Sequence, residues 1–119
     1  MKIAVTAQGP GEKARVDPRF GRAKFFVVYD SDGGQYQTID NKQVLNLPQG
    51  AGIQAAQHII DAGAEVLLTG HCGPNAYQTL QAGGVKVVTD VEGVVAEAIA
   101  RYREGKLDHA AGPDVEGHW

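Results

Sequence analysis

Residues 68–76 of this chain read Leu68-Thr69-Gly70-His71-Cys72-Gly73-Pro74-Asn75-Ala76, and the single cysteine of the protein stands in that turn beside a histidine. A buried-looking strand, Glu65–Thr69, runs into the turn. Pro74 opens a helix, because proline suits the first helical position. A turn of this kind suits three chemistries. A thiolate near a helix N-terminus has a lowered pKa and is a nucleophile, the more so beside a protonated His71. The same thiolate is a ligand for copper or iron. Free backbone N–H groups and the helix dipole hold an anion without any covalent bond. Phosphatase chemistry fits badly. It needs an arginine clamp at position 78, which is Gln78 here, and without the clamp the transition state loses its main anion contact. A fourth role is structural, with Cys72 a small side chain packed beneath the turn.

A second group of residues carries charge. Between residues 12 and 24 stand Lys13, Arg15, Arg19, Arg22 and Lys24, against Glu12 and Asp17. Within that run Asp17-Pro18-Arg19-Phe20-Gly21-Arg22 is a basic loop stiffened by proline. Arg19 or Arg22 can meet an anion, while Phe20 either covers that anion or anchors the loop in the core. Gly9-Pro10-Gly11-Glu12-Lys13-Ala14 matches a dinucleotide fingerprint in letters only. That motif must open a helix, and here Pro18 and another strand follow, so a flexible loop is expected. His58 falls on the polar arc of a helix, where a solvated histidine is expected. His109, His118 and Trp119 lie in a C-terminal tail at a spacing that fits no closed metal site, and a mobile tail is expected.

These residues need a frame. Strands are predicted at Lys2–Ala7, Ala23–Asp30, Gln35–Asp40, Glu65–Thr69 and Val85–Thr89. Ser31-Asp32-Gly33-Gly34 reads as a hairpin turn, which pairs the second and third strands antiparallel. Helices are predicted over about 50–62, from Pro74 to the Gly83-Gly84 pair, and over about 91–103. On the first, Ile53, Ala56, Ile59 and Ile60 share the apolar arc. The third buries Val94, Val95, Ala98, Ile99 and Tyr102 and carries Glu97 and Arg101 as an exposed pair. The order β-β-β-α-β-α-β-α predicts an α/β fold on the ribonuclease H-like three-layer plan: a five-stranded mixed sheet with helices on both faces. One domain is expected over residues 1–104, with an irregular tail over 105–119. Nucleases of that plan hold two metals with carboxylates, one of them on the first strand. Lys2–Ala7 has no carboxylate, and a fold does not fix a function.

Composition narrows the class. The chain has 119 residues, 43% of them hydrophobic, and a net charge of −3 from 11 basic and 14 acidic side chains. That length supports one core without staples. One cysteine permits no internal disulfide and no all-cysteine zinc site. The net negative charge lacks the basic footprint of general nucleic-acid binding. No apolar run approaches the roughly 20 residues of a membrane span. Met1–Val5 is too short for a secretory signal. A cytoplasmic protein is expected, with neither nucleic acid nor membrane as partner, as a monomer or weak homo-oligomer.

Three segments in order, Arg19-Phe20-Gly21-Arg22-Ala23, Gly50-Ala51-Gly52-Ile53-Gln54-Ala55-Ala56 and Thr69-Gly70-His71-Cys72-Gly73-Pro74-Asn75-Ala76, resemble the dinitrogenase iron–molybdenum cofactor biosynthesis family. The closing Gly117-His118-Trp119 resembles its small single-domain members, so the likeness spans nearly the whole chain. It implies the ribonuclease H-like fold and a protein that binds, carries or stores an anionic metal–sulfur cluster without being an enzyme. The cargo implied is a molybdenum–copper sulfide or an iron–sulfur or iron–molybdenum precursor. Cofactor-assembly or regulatory proteins are the implied partners. The family's site carries over to Phe20, Gly21 and Arg22, to Gly50 and Gly52, and to Cys72, Gly73, Pro74 and Asn75, with Cys72 an optional metal ligand. Many members have histidine where this chain has Arg19 and Gln49. Both departures favour electrostatic holding, with Arg19, Arg22 and Lys24 at the rim and Phe20 shielding a face. Two other functions follow from the same residues: a regulatory or interaction domain without a cluster, and an enzyme with Cys72 as nucleophile.

Overall fold

The computed structural model describes residues 1–41 and 50–113. Residues 42–49, which include Pro48 and Gln49, lie outside the described residues, as do His118 and Trp119. Five strands form one sheet in the order β3-β2-β1-β4-β5. β1 (Lys2–Ala7) is central and runs parallel to β4 (Val66–Leu68), which runs parallel to β5 (Lys86–Val88). On its other side β1 pairs antiparallel with β2 (Phe25–Asp30), and β2 pairs antiparallel with β3 (Gln35–Asp40). The hairpin forms as predicted, with the Gly34 N–H donating to the Asp30 carbonyl at 2.7 Å.

Strand alternation sorts the core into two layers. On one face Ala4, Phe26, Val28 and Leu67 meet α1 (Ala51–Asp61) and α2 (Pro74–Ala82). On the other, Ile3, Val5, Val27 and Leu68 meet α3 (Val95–Arg103). The predicted mixed five-stranded sheet with helices on both faces is therefore present, and it is compatible with the ribonuclease H-like plan.

Several expectations change. The segment after β1 is not a flexible loop. It forms bridges from Val16 to Ala7 and from Arg15 to Val94. The Gln8 N–H donates to the Arg15 carbonyl at 2.9 Å, and the Val16 N–H donates to the Gly93 carbonyl at 2.8 Å. Gly93 and Val94 take part in this pairing, so α3 starts at Val95 and leaves Val94 half-buried. Tyr102 is also half-buried. The Arg101 guanidinium is directed at the Glu92 carbonyl rather than forming the predicted exposed pair with Glu97. On α1 the sheet-facing residues are Ala55, Ala56 and Ile59, whereas Ile53 is 43% exposed.

His58 is half-buried rather than solvated, with Nδ1 2.9 Å from Asn41 Oδ1. Asn41 is buried, and its amide nitrogen donates to the Ala23 carbonyl at 2.9 Å. That leaves Oδ1 as acceptor, so the proton sits on His58 Nδ1. The tail is irregular but docked through residue 110: the Ala110 N–H donates to the Val87 carbonyl at 2.7 Å. Replacing Asn41 by alanine strands the Ala23 carbonyl and the His58 N–H. A loss of about 2 kcal/mol is expected in urea unfolding, with His58→Gln, which keeps a donor, costing less.

Candidate functional site

The C-terminal ends of β1 and β4 lie side by side, and the chain closes that edge by stitching two loops together. The His71 N–H donates to the Pro18 carbonyl at 2.7 Å, and the Phe20 N–H donates to the His71 carbonyl at 3.1 Å. Arg19 and His71 thus form a parallel bridge. Gly70 permits the approach: a Cβ there would lie 2.5 Å from the Pro18 carbonyl oxygen and 2.6 Å from the Pro18 Cα. Beneath the stitch, Thr6 Oγ1 is 2.8 Å from the Asp17 carbonyl oxygen and 3.0 Å from Thr69 Oγ1, and both threonines are buried. The Asp17 carboxylate accepts the Arg19 N–H at 3.0 Å.

Of the two roles open to Phe20, the structure supports the anchor. Its ring is fully buried and stacks on Phe26 at 5.6 Å between centroids, so it offers no face to a surface ligand. The helical turn Phe20–Arg22 packs on α1, with Gly21 buried and both Arg19 and Arg22 exposed.

Two helices begin at this edge. The N-cap of α1 is Gly50, in the left-handed region at φ 81°, and the N-cap of α2 is Gly73. Neither glycine supplies a side-chain cap, and neither first turn holds an acidic residue. The first donors within these helices are Gln54, to the Gly50 carbonyl, and Tyr77, to the Gly73 carbonyl, both at 3.0 Å. The N–H groups of Ala51, Gly52 and Ile53, and those of Asn75 and Ala76, therefore have no acceptor inside their own helices. The two first turns touch, since a Cβ on Gly52 would lie 3.4 Å from that of Ala76. Two positive dipole ends thus sit together with no acidic side chain in either first turn. The start of α3 is different: its Val95 and Ala96 N–H groups donate to the carbonyls of Ala14 and Glu12, each at 2.9 Å.

Cys72 is fully buried in the apolar cluster that includes Phe20 and Ala76, with Sγ 3.7 Å from the Gly73 carbonyl oxygen. Gly73 is buried, Pro74 half-buried and Asn75 exposed. The predicted residues of all three segments therefore converge on one edge, with Arg19, Arg22, Gly50 and Asn75 at its surface and Phe20 and Cys72 beneath it. Two rim features went unrecognised as such in sequence. Ile53 was placed on the buried arc, and His71 was read only as a neighbour of the thiol; its place in the Arg19 bridge leaves no sequence signal. Among the described residues no three His, Cys, Asp or Glu side chains come together to hold a metal ion. His109 is at the other end of the molecule. Its Nε2 is 2.8 Å from the Tyr102 hydroxyl, and both line a concavity of about 450 Å³ with Met1, Arg103, Leu107 and Asp108. Burial pushes the Tyr102 phenol above its ordinary pKa. No described helix is long and apolar enough to cross a membrane.

Fold and site together define a small α/β domain that presents two adjoining, glycine-capped helix starts and a basic loop at the C-terminal edge of its parallel strands. The chain belongs to the dinitrogenase iron–molybdenum cofactor family, whose model matches residues 1–105. It is 50% identical to the orange protein of Desulfovibrio gigas, solved in its apo form, at a TM-score of 0.93 over 96% of each chain. It is 33% identical to a NifB-like protein from Thermotoga of the DUF35 family, at a TM-score of 0.84 over 98% of each chain. An uncharacterized protein of Methanocaldococcus jannaschii is 29% identical over 91% of this chain and 90% of its own length. The family and the first two structures support a role related to the iron–molybdenum cofactor.

The stitch predicts a sharp contrast between glycines. Gly70→Ala should cost about 3 kcal/mol, because the new methyl meets backbone that cannot move aside. Gly112→Ala, with nothing within 4 Å, should change urea stability by less than about 0.5 kcal/mol. Thr6→Val keeps the shape and removes the hydroxyl. It should cost about 1–3 kcal/mol and speed hydrogen exchange at Phe20, which the stitch protects.

Proposed function

We propose that this chain binds and carries an anionic metal–sulfur cluster and performs no catalysis on it. The observation that carries the proposal is the pair of touching helix starts, Gly50–Ile53 and Gly73–Ala76, with neither a side-chain cap nor a first-turn acid. A thiometalate cluster is a large, soft polyanion. Backbone N–H groups donate to its sulfides. Each helix start adds roughly half a positive charge. The exposed Arg19, Arg22 and Lys24 supply further charge at the rim. Ile53 gives a weakly hydrated anion an apolar wall.

Family membership and the likeness to the orange protein support a cargo of the molybdenum–copper sulfide type or a precursor of the iron–molybdenum cofactor. The burial of Cys72 supports holding by N–H groups and charge, and it argues against a nucleophile that must meet substrate. A reducing cytoplasm suits a sulfide cargo and a lone thiol. Donor and acceptor proteins of cofactor assembly would exchange the cargo at the exposed edge.

Titrating the purified protein with thiomolybdate and copper should produce visible absorption bands from a bound, non-dialysable cluster; a silent titration contradicts the proposal. Uptake should weaken with added salt. It should fall about tenfold or more in the Arg19→Ala, Arg22→Ala double variant, which removes two charged donors. Cys72→Ala should retain most of the uptake, whereas a thiol-dependent site or enzyme would lose its function.

A further inference from the structure

The two edges of the sheet are finished differently. After α3 the chain turns back and crosses the outer side of β5. There the Ala110 N–H donates to the Val87 carbonyl at 2.7 Å, and the Tyr77 hydroxyl donates to the Ala110 carbonyl at 3.2 Å. That strap covers the β5 edge. Among the described residues no segment runs along the backbone edge of β3; the contact from the loop after β1 is on one face, where the Gly11 N–H donates to Thr38 Oγ1 at 3.1 Å. All six of its residues pair with β2 in unbroken register, from Gln35 opposite Asp30 to Asp40 opposite Phe25. Its other side pairs with no described strand. Every residue of β3 except Ile39 is exposed, and Tyr36 is 38% exposed. The devices that usually blunt an edge are missing: β3 has no bulge, no proline, no lysine and no arginine.

We infer that β3 is a self-association edge, through which two copies of this chain pair antiparallel into one continuous sheet. The occupant follows from the pattern of the strand. Tyr36 and Thr38 share the face of Tyr29, whose ring lies 4.9 Å from that of Tyr36, while Ile39 packs on the opposite face. A two-fold axis at Gln37 keeps each face continuous, because residues of like parity then oppose each other. It sets Tyr36 against the partner's Thr38 and Gln35 against the partner's Ile39. Aromatic and β-branched pairs of this kind stabilise antiparallel ladders, and no like charges oppose each other across the six residues. The interface is isologous, so it closes at the dimer. An unrelated extended peptide would find the same backbone groups without the matched pairs. The inference is independent of what the helix starts bind.

Sedimentation equilibrium of the full chain, from micromolar to millimolar concentration, tests it with Gln37 variants, since Gln37 is exposed and its replacement spares the fold. A monomer–dimer equilibrium is expected for the wild type. Gln37→Lys places two like charges across the axis and should weaken the dimer by about fivefold. An equimolar mixture of Gln37→Lys and Gln37→Glu should restore it as a heterodimer. A wild type that stays monomeric throughout overturns the inference, as does a dimer whose affinity Gln37→Lys leaves unchanged.

Discussion

The structure depends on the contact between Gly70 and Pro18. Because residue 70 has no side chain, the backbone of Pro18 lies directly against the end of β4, and two hydrogen bonds through His71 lock it there. That contact fixes where the basic loop sits. Phe20 then drops into the core on Phe26, and the turn that follows rests on α1. Arg19 and Arg22 are left at the surface beside the helix starts. The buried pair of Thr6 and Thr69 joins β1, β4 and Asp17 from below. One missing methyl thus couples the central strands, the loop and the edge where the helices begin.

On the proposed function, that edge would hold a negative group with few dedicated side chains. Glycine caps supply no side-chain oxygen to the orphan N–H groups, so among the described residues these donors stay open to a ligand. The contact of Gly52 with Ala76 brings two such ends together. The third helix makes the comparison internal to the molecule: its first donors are used by the loop at Glu12 and Ala14, and that end serves the fold. Selectivity for a soft, weakly hydrated polyanion over a small hydrated one would follow from the mix of amide donors, guanidinium rim and the exposed Ile53.

Much of this was legible in sequence. The Ser31–Gly34 turn, the alternating strands and the Gly-Pro and Gly-Gly punctuation of α2 act locally, so they specified the sheet and the helices. The three glycine-rich segments also pointed to the family that the comparisons show. What stayed hidden depends on contacts between distant segments. The loop of residues 8–22 is ordered by backbone hydrogen bonds to residues 71, 93, 95 and 96, and backbone groups leave no mark in a sequence. Phe20 was left open and Ile53 was misplaced, because period alone does not say which side of a loop or helix turn meets the sheet. The docked part of the tail was missed for a related reason, since one N–H to Val87 holds Ala110 and composition suggested only an irregular, mobile tail.

On the proposed function, the backbone amides of two touching helix starts hold the cargo. Amide chemical-shift mapping during titration with thiomolybdate and copper tests it most directly. The signals of Ala51, Gly52, Ile53, Asn75 and Ala76 are expected to move together and saturate, with the amides around Tyr102 and His109 unmoved. Saturable binding that leaves those five amides unchanged would contradict it.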